Sequence, residues 1–544
     1  MDAPRTLDLN LAPMHTTALL VLLAFFVVFG VLSVGDKNLT TDESRHYRYG
    51  VNLLEGNTDR FDDSKMPFSA WNALPAKLAS WLPDGALKDL LGQLVVARLM
   101  TILFSAALAL LVFHWARSLY GLVPAFFSLL LYIFDPNIIA HSQLVTTDLY
   151  ATGTILLVFY CLWRFARQRT LTNGLLCALT LGLSQVAKYT SVVLLPLCLF
   201  ALFLYDLPQL VDAYKQNAAG TIKMWLRNYA VYTLVAVLVS ILVINVCFLF
   251  NRTFTRFGAY KFRSDLFQML QSDVPLLRKL PVPTPYPFLE GLDWVIQRSN
   301  AHFPVYFLGK VQREGFPGYY LVAFLLKEPI ATQLLILGAV IVWLRDPKRR
   351  RRVLQDELFL LVPVAFFVVY FNLFYHVQIG IRYYLVIFPF LYIFAGSLFT
   401  GWQQFSVFQK RASALLVAYL AISVFSYYPY YLPYFNELVW DRTQGYKYLA
   451  DSNIDWGQSS SEISSYLAQH PDAMRAPTQP QAGHFIVSVN GLVGLISKRD
   501  DRKWLRTNFE PDGTLAYSYL IYKISPQEIE KLCATTEYCQ RADD

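Results

Sequence analysis

Two acidic positions in this chain combine reactive side chains with a place beside an apolar run. Asp42 and Glu43 occur in the stretch NLTTDESRHYRYG, just after the uncharged run HTTALLVLLAFFVVFGVLSVG. Asp148 occurs in DPNIIAHSQLVTTDLYATG, at the start of another apolar run. A carboxylate in such a place accepts a proton from a reacting hydroxyl, or it only caps a helix. Both interpretations are open for Asp42 and for Asp148.

Basic side chains recur at the ends of the same apolar runs. Each either meets a phosphate with charge-assisted hydrogen bonds or extends its long stem from a bilayer toward water. The candidates for substrate binding are Arg45, Arg98, His141, Lys188, Lys327 and Arg382. Several cations facing two acidic sites indicate a cleft for an anionic substrate, in which a departing phosphate is stabilised.

The elements that must position these residues are membrane spans. The chain of 544 residues is 55% hydrophobic and only 16% charged, against roughly 25% in soluble domains. Apolar runs of spanning length predict about eleven transmembrane helices. They lie near residues 15–34, 98–116, 118–134, 149–166, 173–187, 189–206, 229–250, 329–344, 357–375, 384–401 and 412–432. Asp135, beside Pro136, is expected to be an exposed helix-end residue.

Short basic loops predict the orientation of the spans. The loops RFARQRT, RDPKRRRR and QKR should be cytoplasmic, since Lys and Arg accumulate on that side. Eleven spans then place the N-terminus inside and the C-terminal tail outside. A DNA-binding role for RDPKRRRR is disfavoured because apolar spans flank it, so no nucleic-acid partner is expected.

The same count and orientation of the spans divide the chain into two domains. Residues 1–432 should form a transmembrane domain with long outer loops at 35–97 and 251–328, of which 71–92 should lie flat on the outer surface. An ordinary amphipathic helix packed on the domain is the alternative for 71–92. Residues 433–544 should form a small α/β domain with strand-like runs GHFIVSVNGLVGLI and LAYSYLIYKI. Cys533 and Cys539 in this tail should form a disulfide.

The order of these features resembles the glycosyltransferase C-type superfamily, specifically its family 39-like members. The DE pair closing the first span, the second Asp in the next outer loop and GLLCALTLGLSQVAKYT carry part of the likeness. The segments YFLGKVQREGFPGYYLVAFLLKEP, GIRYYLVIFPFLYIFAG and GYKYLADSNIDWGQ carry the rest. The chain is similar in this respect to protein O-mannosyltransferases and lipid A aminoarabinose transferases, although its soluble tail departs from the latter.

The resemblance implies a glycosyltransferase that moves a sugar from a polyprenyl-phosphate donor to a glycan, lipid or protein acceptor. It implies Asp42 as the base, Glu43 as its neighbour, and Asp148 as a residue that orders the site. The resemblance leaves open whether a divalent metal takes part or no cofactor at all; if a metal is present, Asp42 and Asp148 are the residues that would hold it. The implied location is a bacterial inner membrane with a periplasmic site and an inverting reaction.

Two other classes of function compete with this one. A multispan transporter needs ionisable groups near the membrane centre and discontinuous helices, often in a repeated arrangement. A membrane scaffold that presents the tail needs no charges clustered at the ends of its spans. The charges at these ends, the long outer loops and the lack of a repeat favour an enzyme.

Overall fold

The computed structural model describes residues 11–35, 37–58, 60, 64–300, 303–352, 354–496 and 500–539. Within them the fold is mainly helical with small sheets, which confirms the predicted fold class. The helices are α1 Pro13–Val34, α2 Glu43–Leu54, α3 Ala70–Ala79, α4 Ala86–Leu91, α5 Leu94–Tyr120, α6 Leu122–Ile133, α7 Pro136–Ser142, α8 Asp148–Arg167, α9 Leu171–Gln185, α10 Leu194–Lys215, α11 Ala219–Cys247, α12 Asp265–Asp273, α13 Pro275–Lys279, α14 Tyr286–Ser299, α15 Tyr319–Lys327, α16 Ile330–Arg345, α17 Pro347–Arg352, α18 Leu358–Leu373, α19 Phe388–Gly396, α20 Val407–Ser426, α21 Ser460–Gln469, α22 Val489–Leu492, α23 Lys503–Asn508 and α24 Pro526–Thr535.

Each of the eleven predicted spans contains helix. By length and composition, seven helices of the described residues are able to cross a bilayer, or up to nine if each of two bent pairs is one span. The two other predicted spans are α9 and α18, whose 15 and 16 residues fall short of that length. The chain is therefore a polytopic membrane protein. Helices dominate because a bilayer leaves no water to satisfy backbone N–H and C=O groups.

The two bent pairs break at an acidic residue followed by proline. The axes of α6 and α7 differ by 63° across Asp135-Pro136, and those of α15 and α16 by 116° across Glu328-Pro329. Proline lacks the N–H that continues a helix and disfavours helical geometry in the residue before it. Asp135 caps α7 by accepting a hydrogen bond of 2.6 Å from the Ile138 N–H. It is a helix-end residue as expected, but it is fully buried rather than exposed.

Helix α8 lies at the centre of the bundle. It packs against α5, α9, α10 and α18, and nearly all its side chains are buried. A helix surrounded in this way brings its first residue, Asp148, to the interior of one end of the bundle. Around α8, spans such as α11 keep many apolar side chains exposed, as helices that face lipid do.

The segment 71–92 forms parts of two short helices, α3 and α4. Leu78, Trp81, Leu87 and Leu90 are all exposed, with Trp81 72% accessible. This exposure fits the predicted position on a membrane surface better than packing against the rest of the protein. Nearer the start of α3, Trp71 donates a hydrogen bond of 2.9 Å to the carbonyl oxygen of Met100 in α5.

Six strands occur in the described residues, in two sheets. A hairpin joins β1 Val305–Phe307 and β2 Lys310–Gln312. The tail contains β3 Ala473–Arg475, β4 Gly483–Ser488, β5 Gly513–Leu515 and β6 Tyr519–Ile524, in the order β3-β4-β6-β5. Strand β4 pairs with β3 in parallel and with β6 antiparallel. The predicted disulfide between Cys533 and Cys539 is present in this part of the chain.

The orientation predicted from the basic loops is testable by fusion. A reporter fused after residue 350 should be active only as a cytoplasmic fusion, and one fused after residue 440 only as an external fusion. The reason is the excess of Lys and Arg in the short loops that are predicted to be cytoplasmic. Two fusions that report the same side would contradict the predicted orientation.

Candidate active site

Asp42 stands at the start of α2 with its side chain 30% exposed. Although it occupies the N-cap position, its side chain makes no capping hydrogen bond. Arg382 Nη1 lies 3.3 Å from Asp42 Oδ2, and Lys65 Nζ lies 4.0 Å from Oδ1. Burial acts to raise the pKa of Asp42, but the charges of Arg382, Lys65 and His46 outweigh it and hold the pKa below its ordinary value of 3.8. The geometry therefore favours an ionised, partly accessible carboxylate over a cap.

Asp148 faces the same guanidinium from the other side. It is 4% exposed, and its Oδ1 lies 2.5 Å from Lys188 Nζ. Its Oδ2 lies 3.6 Å from the same Arg382 Nη1 that contacts Asp42. The N-cap of α8 is Thr147, so Asp148 is not the cap of that helix. One arginine thus bridges two carboxylates that are far apart in sequence.

Aromatic rings hold the cations of this site in place. The Arg382 guanidinium carbon lies 4.0 Å from the centroid of the Trp456 ring and 5.2 Å from that of Tyr383. Lys188 Nζ lies 4.1 Å from the Tyr383 centroid. Such contacts attract a cation to the ring face while leaving part of its donor set unused. We call Asp42, Lys65, Asp148, Lys188 and Arg382 the charge cluster.

The loop 449–459 of the tail closes over the charge cluster. Its Asn453 accepts from the Ile381 N–H at 2.9 Å and donates to the Tyr319 hydroxyl at 2.8 Å. The Trp456 carbonyl accepts a hydrogen bond of 3.0 Å from the Thr41 N–H, directly beside Asp42. The loop thereby ties together the chain before α2, the segment of Arg382 and the start of α15. Sequence reasoning missed Trp456, although the segment GYKYLADSNIDWGQ that contains it was among those that carry the family likeness.

Sequence reasoning also missed Lys65 and used His46 only as part of a polar stretch. Lys65 is 4% exposed, and its Nζ lies 3.3 Å from His46 Nε2. His46 Nδ1 lies 3.3 Å from the Ser69 hydroxyl. No periodic signal marks Lys65, because the sequence around it, FDDSKMP, has no apolar periodicity. One turn of α2 places His46 beside Asp42, a spacing that the sequence does contain.

Glu43 and Arg98 form a buried ion pair rather than a pair of substrate contacts. Glu43 is 0% exposed and accepts from Arg98 Nε at 2.9 Å and Nη2 at 2.8 Å. It also accepts from the N–H groups of Thr40 and Val145. The remaining Arg98 donors bind the carbonyl oxygens of residues 37 and 38. The adjacent carboxylates thus point apart, and the geometry gives Glu43 and Arg98 a positioning role.

Three further candidates lie outside the charge cluster. Lys327 is 1% exposed and donates to the carbonyl oxygens of Leu432 at 2.8 Å and Asn453 at 2.5 Å. It supports the loop 449–459 instead of facing a substrate. His141 is 1% exposed, with its ring centroid 6.3 Å from that of Trp456. Arg45 lies exposed on α2.

The donor set around Asp42 and Asp148 does not fit a divalent metal. The contacts described for both carboxylates are to cations, namely Arg382, Lys65 and Lys188. In the described part of the chain, no group of three or more His, Cys, Asp or Glu side chains converges as a metal site would require. A dication between the two aspartates would meet the guanidinium that already joins them.

The arrangement has a clear chemical capacity. Three cations surround Asp42 and Asp148, and the nearby Asp451 carboxylate also acts on Arg382. Guanidinium and ammonium groups gathered in this way are able to give charge-assisted hydrogen bonds to a phosphate. Asp42 is the more accessible carboxylate and is able to accept a proton from a neighbouring hydroxyl.

One family model matches part of this chain. Residues 78–244 match the family model described as dolichyl-phosphate-mannose-protein mannosyltransferase. The match covers Arg98, Asp148 and Lys188, but it begins after Asp42 and ends before Arg382. No curated protein matches the chain in sequence.

Solved structures with a similar fold include two that hold a lipid phosphate. ArnT from Cupriavidus metallidurans bound to undecaprenyl phosphate is 15% identical, with a TM-score of 0.46 over 76% of this chain and 65% of that one. AglB, an oligosaccharyltransferase from Archaeoglobus fulgidus in complex with an inhibitory peptide and a dolichol-phosphate, is 12% identical, with a TM-score of 0.46 over 77% and 56%. The chain thus spans less than two thirds of the length of either protein. The predicted resemblance of this polytopic membrane protein to the family 39-like glycosyltransferases is confirmed by the family match over residues 78–244.

Proposed function

We propose that the protein is a membrane glycosyltransferase that moves a sugar from a polyprenyl-phosphate-linked donor to an acceptor hydroxyl. The observation that carries this proposal is the charge cluster, in which a partly exposed Asp42 stands beside Arg382 and Lys65, and Arg382 joins it to the Asp148–Lys188 pair. The family match supports the reaction class, since its description names a dolichyl-phosphate sugar donor. The proposed location is the periplasmic face of a bacterial inner membrane, with the N-terminus cytoplasmic and the tail, residues 433–544, a periplasmic domain.

In the proposed reaction, the acceptor oxygen forms a bond to the anomeric carbon while its proton passes to Asp42. The bond from that carbon to the phosphate oxygen breaks, and the electron pair stays on the phosphate. Arg382, Lys188 and Lys65 stabilise the departing phosphate through charge-assisted hydrogen bonds. The proton acceptor must be ionised. Because the pKa of Asp42 is lowered, we expect activity at neutral pH, and we expect it to be lost as the pH falls through the pKa of Asp42.

A single displacement inverts the anomeric configuration. The retaining route needs a second carboxylate as nucleophile, close to the first. Glu43 is unsuited to that role because four donors occupy its fully buried carboxylate. Asp148 is held 2.5 Å from Lys188 and is 4% exposed. These contacts support the inverting route.

The test of the proposal is turnover by the purified full-length protein, with a polyprenyl-phosphate sugar and a panel of glycan, lipid and peptide acceptors. Release of polyprenyl phosphate together with a new glycoside is the expected result. Absence of donor consumption by well-folded protein with every acceptor, water included, would count against the proposal.

Arg382→Ala should weaken donor binding far more than it slows a bound donor. The loss of a charge-assisted contact to phosphate corresponds to about 1.5–3 kcal/mol, or roughly a 10–150-fold rise in KM. Steady-state kinetics with varied donor measures this change. Arg167→Ala is the matched control, because that arginine pairs with Asp356 on a different part of the surface. An unchanged KM for Arg382→Ala would show that Arg382 does not bind the donor phosphate.

One observation favours a second candidate, a transporter. Asp135 and Glu328 are both fully buried, and each lies at the break of a bent helix pair. Discontinuous helices with ionisable groups at the break are typical of transporters. Uptake of a radiolabelled sugar phosphate into proteoliposomes, measured beside turnover, distinguishes the two functions. Transport without donor cleavage would favour the second candidate.

A further inference from the structure

One side chain of the tail holds the loop 449–459 at two points. Asn490, in the short helix α22, accepts a hydrogen bond of 2.7 Å from the Asp451 N–H through its Oδ1. Its Nδ2 donates to the Asp455 carbonyl oxygen at 2.8 Å. A single amide therefore holds both sides of the turn that precedes Trp456.

Helix α22 is a firm support for this amide because it is joined to the sheet of the tail. It follows strand β4 directly, and the Ser488 hydroxyl caps it by accepting from the Gly491 N–H. The Val489 N–H donates to the carbonyl oxygen of Ser518 at 3.0 Å. The Ser518 hydroxyl also donates to that of Ser459, at the far end of the loop, at 2.9 Å. The tail thus helps to fix the position of the loop.

The backbone at Asp451 shows why the loop needs such support. Its φ of +59° lies in the left-handed region, which residues other than glycine adopt uncommonly, although Asp and Asn do so more often than most. A conformation of this kind persists when the surrounding contacts hold it. The hydrogen bond to Asn490 is one such contact, and the bond of 2.6 Å from the Ser452 N–H to the Asp451 carboxylate is another. Loss of the Asn490 amide should therefore loosen the turn.

The residues that Asn490 holds lie against Arg382 of the charge cluster. The Asp451 carboxylate is one of the charges that act on the guanidinium. Trp456 directly follows Asp455, and the centroid of its ring lies 4.0 Å from the guanidinium carbon. A shift of the turn would therefore change the surroundings of the side chain that joins the two aspartates of the charge cluster.

We propose that Asn490 is a positioning residue, which holds the loop 449–459 so that Arg382 keeps the place in which it meets the donor phosphate. The tail then takes part in the reaction without touching the substrate. The effect on the reaction rests on the glycosyl transfer proposed above, whereas the hold on the loop does not.

Two variants of the full-length protein test the proposal: Asn490→Leu, which nearly keeps the volume of the side chain, and Asn490→Ala. Hydrogen exchange followed by mass spectrometry should show faster exchange of the backbone N–H groups of 449–459 in both, with β4 and β6 unchanged. The KM for the lipid-linked donor should rise roughly 2–10-fold, the effect of losing one or two ordinary hydrogen bonds, while kcat stays within about twofold.

Asn508→Leu is the matched control, because that exposed asparagine donates to the Trp504 carbonyl oxygen within its own helix, α23. It should change neither the exchange of the loop nor the KM. If Asn490→Leu fails to fold, Asn490→Ala provides the same comparison.

The pattern of exchange and kinetics decides the outcome. Unchanged exchange of 449–459 in both Asn490 variants would overturn the proposal. Faster exchange that extends through β4 and β6 would overturn it too, because Asn490 would then stabilise the tail as a whole. Faster exchange confined to the loop with an unchanged KM would overturn the positioning of Arg382. If the wild type consumes no donor, the glycosyl transfer fails instead, and faster exchange confined to the loop still supports the hold of Asn490.

Discussion

Asp42→Asn should lower turnover by roughly 10²–10⁴-fold, the usual loss on removing a general base. Asparagine keeps the size of the side chain but has no basicity. The fold should be retained, because the Asp42 side chain makes no capping hydrogen bond and asparagine caps a helix nearly as well as aspartate. The measurement is the single-turnover rate of well-folded variant with saturating lipid-linked donor, so that changes in donor affinity do not enter.

Asp84→Asn is the control for this variant, since Asp84 is exposed and forms its ion pair with Lys88, four residues away and outside the charge cluster. Its rate should equal that of wild type. A rate for Asp42→Asn within a few-fold of wild type would falsify the assignment of Asp42 as the base. Asp42 would then be an electrostatic partner of Arg382 and no more.

Arg98→Met should destabilise the protein by roughly 3–5 kcal/mol, the usual cost of breaking a buried ion pair. The variant leaves the Glu43 carboxylate buried without its counter-charge, with Glu43 0% exposed and Arg98 2% exposed. It also frees the carbonyl oxygens of residues 37 and 38. Equilibrium unfolding in mixed micelles measures the change in the free energy of unfolding.

The matched control breaks an exposed ion pair instead. Lys447 and Glu510 lie 2.9 Å apart with side chains 45% and 67% exposed, and Lys447→Met should cost less than about 1 kcal/mol. An equal loss of stability in the two variants would contradict the positioning role of the Glu43–Arg98 pair. If Arg98→Met lowers donor affinity without loss of stability, Arg98 is a substrate-binding residue, as predicted from the sequence.

The membrane part of the fold was predictable because apolar runs in a bilayer leave the backbone few alternatives to helix. The order of the spans and the basic loops between them placed Asp42, Asp148, Lys188 and Arg382 at one end of the bundle, and there they converge. The roles of Glu43 and Arg98 were not predictable from composition. One of the two adjacent carboxylates turns inward because of the direction that its side chain takes at the start of α2. Spacing along the sequence does not give that direction.

The tail shows where pattern reasoning fails for a local reason. The run GHFIVSVNGLVGLI is strand-like, but only its first part forms a strand, because β4 ends at Ser488. There the Ser488 hydroxyl accepts from the Gly491 N–H at 3.0 Å and caps the short helix α22. Trp456 could not be found by pattern at all, because its contact with Arg382 joins segments that only the folded chain brings together.

The hydrogen bonds between Thr41 and Trp456 have a consequence for biosynthesis. The two residues are 415 positions apart, so a ribosome adding ~5–20 residues per second needs roughly 20–80 s to pass from one to the other. Asp42 exists from the start of that interval, Arg382 is added only late in it, and Trp456, whose ring covers Arg382, is added at its end. The charge cluster and its cover are therefore completed late in translation, and a nascent chain released before residue 382 carries most of the membrane helices without a complete charge cluster.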